Sequence, residues 1–268
     1  MQQEEVDRIA RTLLDGLEDV ARSGPHKQER TNRRIRGFLN NRCIFDTLET
    51  QFVWEHPRYP NFYIPLSAIL SGQGDVSFSP DMEDIDNQSL IHVGSVAVPG
   101  ERPAVVAALI NQGPLKGFVK ILFDTLDKWM AEDEVLPPSH PRDPYKRIEC
   151  LPSSRTVRVV FEGLVIAESS KNNIFLHETG LRTRYYLPIS SVRNLGWLRK
   201  SDTVTVCPYK GTAGYYDLEV SLAGRAGGVK DAVWYYDEPL EEVAAIKGKI
   251  CFYNEKFDIE VDGSSEVA

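Results

Sequence analysis

The apolar residues near the start of the chain recur at steps of three and four, as they do on one face of an amphipathic helix. This pattern predicts a helix over residues 4–23, with Gly24-Pro25 as the stop signal that ends it. Two uses of its apolar face stay open, packing on the protein's own core and forming a homodimer, and the first is the more common. The apolar residues of this face are Val6, Ile9, Leu13, Leu17 and Val20.

Further along the chain, short apolar runs separated by turn residues are typical of antiparallel strands. Asn40-Asn41 and Glu162-Gly163 are hairpin turns between such runs. Helices are predicted at 124–134 and 239–246, while 104–110 fits either a strand or a short helix. The pattern therefore predicts a mainly β (α+β) fold of small antiparallel barrels or sandwiches with short helices. The predicted strands are 35–39, 43–48, 52–54, 62–64, 91–98, 117–122, 157–161, 164–167, 174–176, 184–187, 203–207, 215–220, 232–235, 250–253 and 257–261.

Three segments lack this periodicity and separate the predicted elements. Residues 26–34 are polar and predict a solvated linker, and residues 71–88 predict a long loop or lid. The proline-rich segment at 137–150 is the best domain linker in the chain. The predicted organisation is a helix and linker at 1–30, a first β-rich unit at 31–136, the linker at 137–150, a second β-rich unit at 151–263 and a tail at 264–268.

The two halves of the chain resemble each other at an offset of 123 residues. At this offset Phe62-Tyr63-Ile64-Pro65 aligns with Tyr185-Tyr186-Leu187-Pro188, and Glu55 aligns with Glu178. Such self-similarity predicts a duplicated β-rich unit of about 100 residues. The second half alone contains the segment Cys207 to Gly211, so the reactive groups are divided unevenly between the copies. Further matches are Phe52 with Phe175, Ile44 with Ile166, Asp46 with Glu168, and Trp129 with Trp234.

The second half contains a set of motifs at Arg158, Glu178-Thr179-Gly180, Arg184 to Pro188, Cys207 to Gly211, Trp234 and Phe252 to Glu255. This set resembles a known family, the domain-of-unknown-function family 427. In the first half, Trp54 to Tyr59 and Ile64-Pro65 are similar to the N-terminal unit of the tandem form of that family. A nucleotidyltransferase label attached to the family implies nucleotidyl transfer, but the chain has no Gly-rich phosphate loop and no spaced pair of metal-binding aspartates.

Charge and cysteine spacing narrow the classes of partner. The 268 residues carry a formal net charge of −8, which disfavours nucleic acid because phosphate backbones need a basic surface. No apolar run approaches the roughly 18 residues that a membrane-spanning helix needs. The four cysteines lack C-x-x-C spacing and the N-terminus is acidic and unlike a leader, which predicts reduced thiols and a cytoplasmic location.

The segment Cys207 to Gly211 brings a thiol, a phenol and an amine within four residues. Cys207 fits either a nucleophile activated by Lys210 or a small buried apolar residue. Lys210 fits a general acid/base, a Schiff-base amine or an ion-pair partner of Glu178. Glu178 and Glu55 each follow an apolar strand and fit either acid/base catalysts or hairpin caps. The predicted catalytic residues are Lys210, Glu178, Glu55 and Cys207.

Aromatic and basic residues near these groups predict a ligand pocket, because aromatic side chains bind apolar and planar ligands well. Strands alternate faces, so one of Tyr215 and Tyr216 points inward. His140 and Arg142 either reach the pocket or cap the linker. The histidines lack a spacing such as H-E-x-x-H, so no metal and no other cofactor is predicted. The predicted ligand-binding residues are Trp54, His56, Arg58, Tyr59, Tyr63, His140, Arg142, Arg184, Tyr186, Tyr209, Tyr215 and Trp234.

These observations predict an enzyme that acts on a small molecule, without metal or nucleotide, in a pocket between the two units. Acid/base chemistry with tyrosine hydroxyls polarising a carbonyl suits a lyase, cyclase, isomerase or hydrolase. A metabolite such as a polyketide fits this chemistry, although no residue specifies the substrate. The alternatives are a ligand- or partner-binding module without catalysis, and the nucleotidyl transfer that the family label implies.

Overall fold

The structure is a computed structural model that describes residues 14, 16–70, 77–80, 89–97, 105–222 and 225–266. The chain divides into two compact units, unit 1 at residues 1–143 and unit 2 at 144–268. Each unit contains a seven-stranded and a four-stranded sheet. The prediction of a mainly β class with two antiparallel β-rich units is thus confirmed. None of the helices within these ranges is long and apolar enough to span a membrane.

The described part of unit 1 consists mainly of strands, which follow a short helix. Its helical segments are α1 (Leu17–Ser23), α2 (Leu66–Leu70) and the 3-10 turn η1 (Phe123–Thr125). Its strands are β1 (Lys27–Arg30), β2 (Ile35–Leu39), β3 (Arg42–Thr47), β4 (Gln51–Trp54), β5 (Asn61–Pro65), β6 (Ser77–Pro80), β7 (Ile91–Ala97), β8 (Val105–Ile110), β9 (Phe118–Ile121), β10 (Lys128–Ala131) and β11 (Glu134–Val135).

Unit 2 has strands of the same kind, and short 3-10 helices take the place of the α-helices. The 3-10 helices are η2 (Ile189–Ser191), η3 (Leu195–Trp197) and η4 (Glu241–Ile246). The strands are β12 (Ile148–Ser153), β13 (Val157–Phe161), β14 (Leu164–Ser169), β15 (Asn173–Glu178), β16 (Arg184–Pro188), β17 (Leu198–Cys207), β18 (Gly211–Leu222), β19 (Arg225–Tyr235), β20 (Lys249–Phe252), β21 (Asp258–Val261) and β22 (Ser264–Ser265).

The strand order of the sheets is the same in the two units. The seven-stranded sheets run β1-β4-β5-β9-β8-β7-β6 and β12-β15-β16-β20-β19-β18-β17. The four-stranded sheets run β11-β10-β2-β3 and β22-β21-β13-β14. Each strand of unit 2 therefore takes the place of the strand eleven numbers earlier, so both units share one topology.

Strand register confirms the residue matches around β5 and β16. Phe52 pairs with Phe62 between β4 and β5, and Phe175 pairs with Tyr185 between β15 and β16. The match of Asp46 with Glu168 also holds, because their partners Arg36 and Arg158 occupy the same position on β2 and β13.

The central strands of each seven-stranded sheet, such as β4, β5 and β16, are buried on both faces, so they read as continuous apolar runs. In unit 1, Phe52 and Trp54 face the four-stranded sheet, whereas Val53 faces α1. Leu17 and Val20 of α1 are buried in that second cluster. The described part of the N-terminal helix thus packs on its own unit and ends at Gly24, whose N–H donates to the Val20 carbonyl at 2.9 Å. Residues 4–13 and 15 of the predicted helix, and with them the homodimer prediction, lie outside the described ranges.

The same arrangement in unit 2 explains the two adjacent tyrosines of β18. Tyr216 packs against the cluster between the two sheets, and Tyr215 belongs to the cluster on the opposite face. That opposite face is covered by η4 through Val243 and Ile246. Strand alternation therefore sends the two rings to different layers of one buried sheet.

The helix predicted at 124–134 is wrong, because this segment forms η1 followed by strand β10. Trp129 pairs with Gly37 and stacks on Phe123, with ring centroids 4.9 Å apart. The match of Trp129 with Trp234 is wrong for the same reason, since Trp129 lies in the four-stranded sheet and Trp234 in the seven-stranded sheet. Apolar spacing that fits one helical face also fits a turn followed by a short strand.

Several segments without apolar periodicity contain strands. The predicted linker at 26–34 contains β1, the loop at 71–88 contains β6, and β12 begins within the predicted linker at 137–150. These three strands lie at sheet edges, where one side is exposed and polar residues are tolerated. The segment at 104–110 is strand β8 over its described residues, and the segment at 239–246 forms 3-10 helix η4.

Candidate functional site

The candidate site of unit 2 is organised around Glu178, the last residue of β15. Strand alternation places Glu178 on the same face as Ile174 and Leu176, which are buried under η4. The side chain of Glu178 is 6% exposed. A buried carboxylate requires a compensating charge or hydrogen bonds, so its neighbours determine what this face can do.

Lys210 supplies the first compensating charge from the turn between β17 and β18. Its ammonium forms an ion pair with Oε2 of Glu178, and its own side chain is 13% exposed. The turn returns the chain at once because Cys207 pairs with Gly211. Gly211 has a φ of +96°, and a Cβ there would lie 3.2 Å from the Glu238 carbonyl oxygen, so a glycine is needed at this position.

Lys146 supplies a second positive charge from the residues that precede β12. Its Nζ lies 3.0 Å from Oε1 of Glu178, and its side chain is 19% exposed. Edge strand β12 brings it there, because Ile148 pairs with Glu178. Lys146 also lies 5.5 Å from the centre of the Tyr209 ring. Glu178 is thus held between two ammonium groups, one on each carboxylate oxygen.

The local electrostatics keep Glu178 ionised. Burial raises the pKa of its carboxyl group, but Lys210 and Lys146 outweigh burial and hold that pKa below the usual value. A carboxylate with a lowered pKa is a poor proton acceptor near neutral pH. Glu178 is therefore suited to holding the two ammonium groups in place rather than to abstracting a proton.

The phenols around this cluster are held protonated. Burial raises the pKa of Tyr186 and of Tyr236, and the negative charge of Glu178 contributes to the rise at Tyr236. Burial also raises the pKa of Tyr253, which borders the same cluster. Phenols and ammonium groups both donate hydrogen bonds. The ionisable groups of this face, Glu178 apart, are therefore mainly proton donors.

Hydrogen bonds and ring contacts fix the positions of four more predicted ligand-binding side chains of unit 2, those of Arg184, Tyr186, Tyr215 and Trp234. The indole Nε1 of Trp234 donates to the Tyr186 hydroxyl at 3.0 Å. The Tyr215 hydroxyl lies 2.8 Å from Oγ1 of Thr205. Arg184 stacks over Trp234 at 5.5 Å and makes two contacts of 2.8 Å with Glu255. Arg184 is thus already engaged by a carboxylate.

Three of the four cysteines belong to unit 2, and all four are free thiols. Burial raises the pKa of Cys150, while the Lys210 charge opposes that rise. Cys251 is buried and its pKa is also raised, chiefly by burial. Cys207 is half-buried at the end of β17, three residues before Lys210. Cys150 and Cys251 are therefore held as thiols.

Unit 1 contains a counterpart built on Glu55. Lys120 Nζ lies 2.8 Å from one oxygen of Glu55, while the Tyr63 hydroxyl and the Asn61 amide donate to the other at 3.0 and 2.8 Å. The Glu55 and Lys120 side chains are 12% and 7% exposed. Glu55 is thus neutralised by one lysine, whereas two lysines contact Glu178.

The lysines of the two units come from positions that do not correspond. Lys120 pairs with Tyr63 in β9, and the residue that pairs with Tyr186 at the same place in β20 is Cys251. In unit 2 the charge comes instead from Lys210 and Lys146. The buried glutamate is common to both units, but its counter-ion is supplied from a different part of each.

The other predicted residues of unit 1 form a separate aromatic group. Tyr59 stacks on His140 with centroids 4.1 Å apart, and His56 meets the edge of Tyr59 at 4.7 Å. Trp54 is buried, and its Nε1 donates to Asp143 at 3.0 Å. These contacts join β4 and the loop that follows it to residues 140 and 143. Two further residues lie at its surface: Arg142, which lies 3.3 Å from Glu134, and the exposed Arg58.

Two lysines of these clusters were absent from the sequence prediction. Lys120 had a usable signal, because a lysine inside the apolar strand Phe118–Ile121 must find a buried partner. Lys146 had none, since it lies in a polar segment and reaches Glu178 only through the pairing of β12 with β15. Within the described residues, no group of three or more histidine, cysteine, aspartate or glutamate side chains is placed to hold a metal.

Comparison with known families identifies the second unit. Residues 149–263 match the family described as Domain of unknown function (DUF427). The resemblance noted in the motifs is therefore confirmed for this part of the chain. No curated protein matches the chain.

Proposed function

We propose that unit 2 carries the active site of an enzyme that acts on a small anionic molecule by general acid catalysis, without a metal or a nucleotide. The observation that supports this proposal is the pair of ammonium groups on Glu178. One lysine is enough to neutralise the equivalent Glu55 in unit 1. The second ammonium group of unit 2 is therefore in excess of what the buried carboxylate requires.

The excess charge favours an anionic ligand. Two ammonium groups and one carboxylate leave a formal charge of +1, on lysine side chains that keep some exposure to solvent. A carboxylate or enolate of a substrate is the complement of such a cluster. Lys146, beside the Tyr209 ring, is placed to hold that anionic group. The planar ring of Tyr209 suits an unsaturated substrate.

The protonation states favour donation of a proton rather than its removal. Lys210 is the proposed general acid, and Glu178 is the residue that positions both lysines. Phenols whose pKa is raised, such as Tyr236, stabilise a developing oxyanion as hydrogen-bond donors. This combination suits lyase, cyclase, isomerase or hydrolase reactions in which negative charge develops on a carbonyl oxygen. Cys207 stays a candidate nucleophile for the hydrolase case.

We further infer that unit 1 is a divergent copy of the same domain, as in the tandem form of the family. The shared strand order and the shared buried glutamate support this inference. A cytoplasmic location likewise stays a prediction.

The proposal is tested by turnover of a metabolite mixture with a chelator present and no nucleotide added. Full-length wild-type protein should deplete at least one small acid, as measured by mass spectrometry. Lys210→Met should abolish this depletion, and Lys146→Met should weaken apparent substrate affinity more than the maximal rate. Lys247→Met is the matched control, because its ion pair with Glu238 is exposed. It should deplete the acid at the wild-type rate.

Two results would count against catalysis. Equal depletion by wild type and Lys210→Met would remove Lys210 from the chemistry. Binding of an acid that disappears in Lys210→Met, with no turnover by wild type, would favour the alternative of a ligand-binding module. Depletion that requires both magnesium and a nucleotide would favour the nucleotidyl transfer implied by the family label.

A further inference from the structure

Unit 2 contains a second polar site, which lies on the side of this unit that the four-stranded sheet forms. It is an open cavity of about 470 Å³ at the end of edge strand β14, where η2 follows strand β16. The bridge between Ala167 and Val192 joins these two segments. Cavities of this size hold small ligands in other proteins. The Glu178 cluster faces η4 on the other side of the seven-stranded sheet, so the two sites are separate.

The lining of this cavity is dominated by hydroxyl groups and one ion pair. Arg193 Nη2 lies 2.5 Å from Oε2 of Glu168, and both side chains remain partly exposed. Their charges cancel, and the Glu168 carboxylate would repel an oxyanion placed beside it. Hydroxyls, a guanidinium and a carboxylate together can donate to and accept from the hydroxyls of a ligand. The hydroxyl-bearing lining residues are Thr156, Ser169, Ser170, Ser190 and Ser191.

One of these hydroxyls has no partner within the protein. Oγ of Ser191 is buried and makes no hydrogen bond, and Ser191 is one of the residues that line the cavity. A buried polar group is normally paired, so an unpaired one next to a cavity indicates a polar ligand. The buried Oδ1 of Asn173 is unpaired as well, and so is Oγ1 of Thr50 at the same position of unit 1. An unpaired oxygen at this position is therefore common to both units and does not distinguish the cavity of unit 2. Ser191 has no such counterpart in unit 1. It lies three residues after Pro188, and the residue three positions after the matching Pro65 is Ala68, which has no hydroxyl group.

We propose that this cavity binds a neutral polyhydroxylated molecule of about the size of a monosaccharide. The hydroxyls of Ser170 and Ser191 are particular to unit 2, since Leu48 and Ala68 stand at the matching positions of unit 1. The cavity, its neutral charge balance and the unpaired Ser191 hydroxyl all favour a ligand that carries several hydroxyl groups. This proposal is independent of catalysis at Glu178.

The test is an amide NMR titration of the full chain with D-glucose and myo-inositol, and separately with inorganic phosphate. We expect at least one of the two polyols to shift the signals of Glu168, Ser170, Ser191 and Arg193 saturably. Ser170→Leu, which introduces the unit 1 residue, should weaken that binding at least about tenfold, the effect of losing one well-placed contact. Ser191→Ala should also weaken it while folding at least as stably as wild type, since it removes an unpaired hydroxyl.

Three results would overturn the proposal. The first is the absence of a saturable shift with either polyol, and the second is saturable binding of phosphate alone. The third is polyol binding of wild-type strength in both Ser170→Leu and Ser191→Ala. Lys210→Met should lose turnover but still bind the polyol. Such a result would show that the hydroxyl-lined cavity and the proposed active site at Glu178 act independently.

Discussion

Unit 1 and unit 2 solve the same electrostatic problem in two ways. Both units place a largely buried glutamate at or just after the end of the second strand of the seven-stranded sheet. In unit 1, Glu55 pairs with Lys120 of the neighbouring β9 and accepts hydrogen bonds from Tyr63 and Asn61. In unit 2, Glu178 pairs with Lys210 of a turn and Lys146 of a preceding segment.

The difference separates what the fold requires from what the site adds. A buried carboxylate requires one counter-ion, and unit 1 provides one within its sheet. Unit 2 has a cysteine at that place in its sheet, Cys251, and provides two counter-ions from its periphery. Charges at the periphery can meet a ligand, whereas Lys120 is sealed within its unit at 7% exposure.

The largest effect is expected from removing the single lysine of unit 1. Lys120→Met leaves Glu55 buried without its ammonium partner and should destabilise unit 1 by about 3–5 kcal/mol. Native-state hydrogen exchange of the β4, β5 and β9 amides would report this loss, because it resolves the stability of separate regions. Wild-type protection of these strands in Lys120→Met would show that Glu55 does not depend on the pair.

A second difference between the units lies in how their sheets are packed. Gly37 faces Phe45 in unit 1, where the matching pair in unit 2 is Val159 and Ala167. A Cβ on Gly37 would lie 2.3 Å from the Phe45 ring, so Gly37→Val should destabilise unit 1 by about 1–3 kcal/mol.

The unit 2 pair provides the control for that substitution. In a Phe45→Ala background, Gly37→Val should cost clearly less than in wild type, because the valine occupies the space that the ring leaves and only the Leu126 methyl group, 2.8 Å from the added Cβ, must still move. Urea unfolding of the four variants forms a double-mutant cycle that measures this coupling. Additive effects of the two substitutions would contradict the idea that a larger side chain at position 37 compensates for a smaller one at position 45.

A smaller effect is expected at the two lysines of unit 2. Lys210→Met should cost about 1 kcal/mol, because Lys146 still pairs with Glu178. Lys146→Met should behave alike, while the double variant should lose about 3–5 kcal/mol, since it leaves the carboxylate unpaired. The measurement is a double-mutant cycle by hydrogen exchange of β15. If Lys210→Met alone lost as much stability as the double variant, Lys146 would not be able to neutralise Glu178 by itself.

The smallest effect concerns pH. The pKa of Glu178 is lower in the folded protein than the ordinary value of 4.5, so its pairing stabilises unit 2 fully above that pH. As pH falls further, the unfolded chain binds the proton first and this contribution is lost. Stability of β15 by hydrogen exchange should therefore fall more steeply below pH 4.5 in wild type than in Glu178→Gln. Parallel profiles would contradict the lowered pKa.

The sequence predicts the fold better than it predicts the site, for reasons visible in particular residues. Phe52, Phe62 and Tyr185 are repeated because each packs within a buried sheet, so the duplication can be read from the sequence itself. Edge strands β1 and β12 were missed because their exposed sides carry polar residues. The pairing of Lys210 with Glu178 was among the alternatives raised for Lys210, since both residues lie in recognisable motifs.

The remainder of the site depends on long-range pairing. Lys146 is brought to Glu178 by the register of β12, which lies 30 residues away along the chain. Lys120 and Cys251 occupy the same place in two sheets, yet neither their sequence context nor their spacing shows this. The fact that the two glutamates take their lysine partners from non-equivalent positions can therefore be recognised only once the strand registers are known.

Unit 2, and not unit 1, is proposed to present an unneutralised ammonium group to a small anion. The most direct test is an NMR titration of protein carrying ¹³Cε-labelled lysine with benzoate, at constant ionic strength. We expect the Lys146 and Lys210 signals, assigned from their methionine variants, to shift together and saturably, while the Lys120 signal stays unchanged. Equal shifts at all three lysines, or none at Lys146 and Lys210, would contradict the claim.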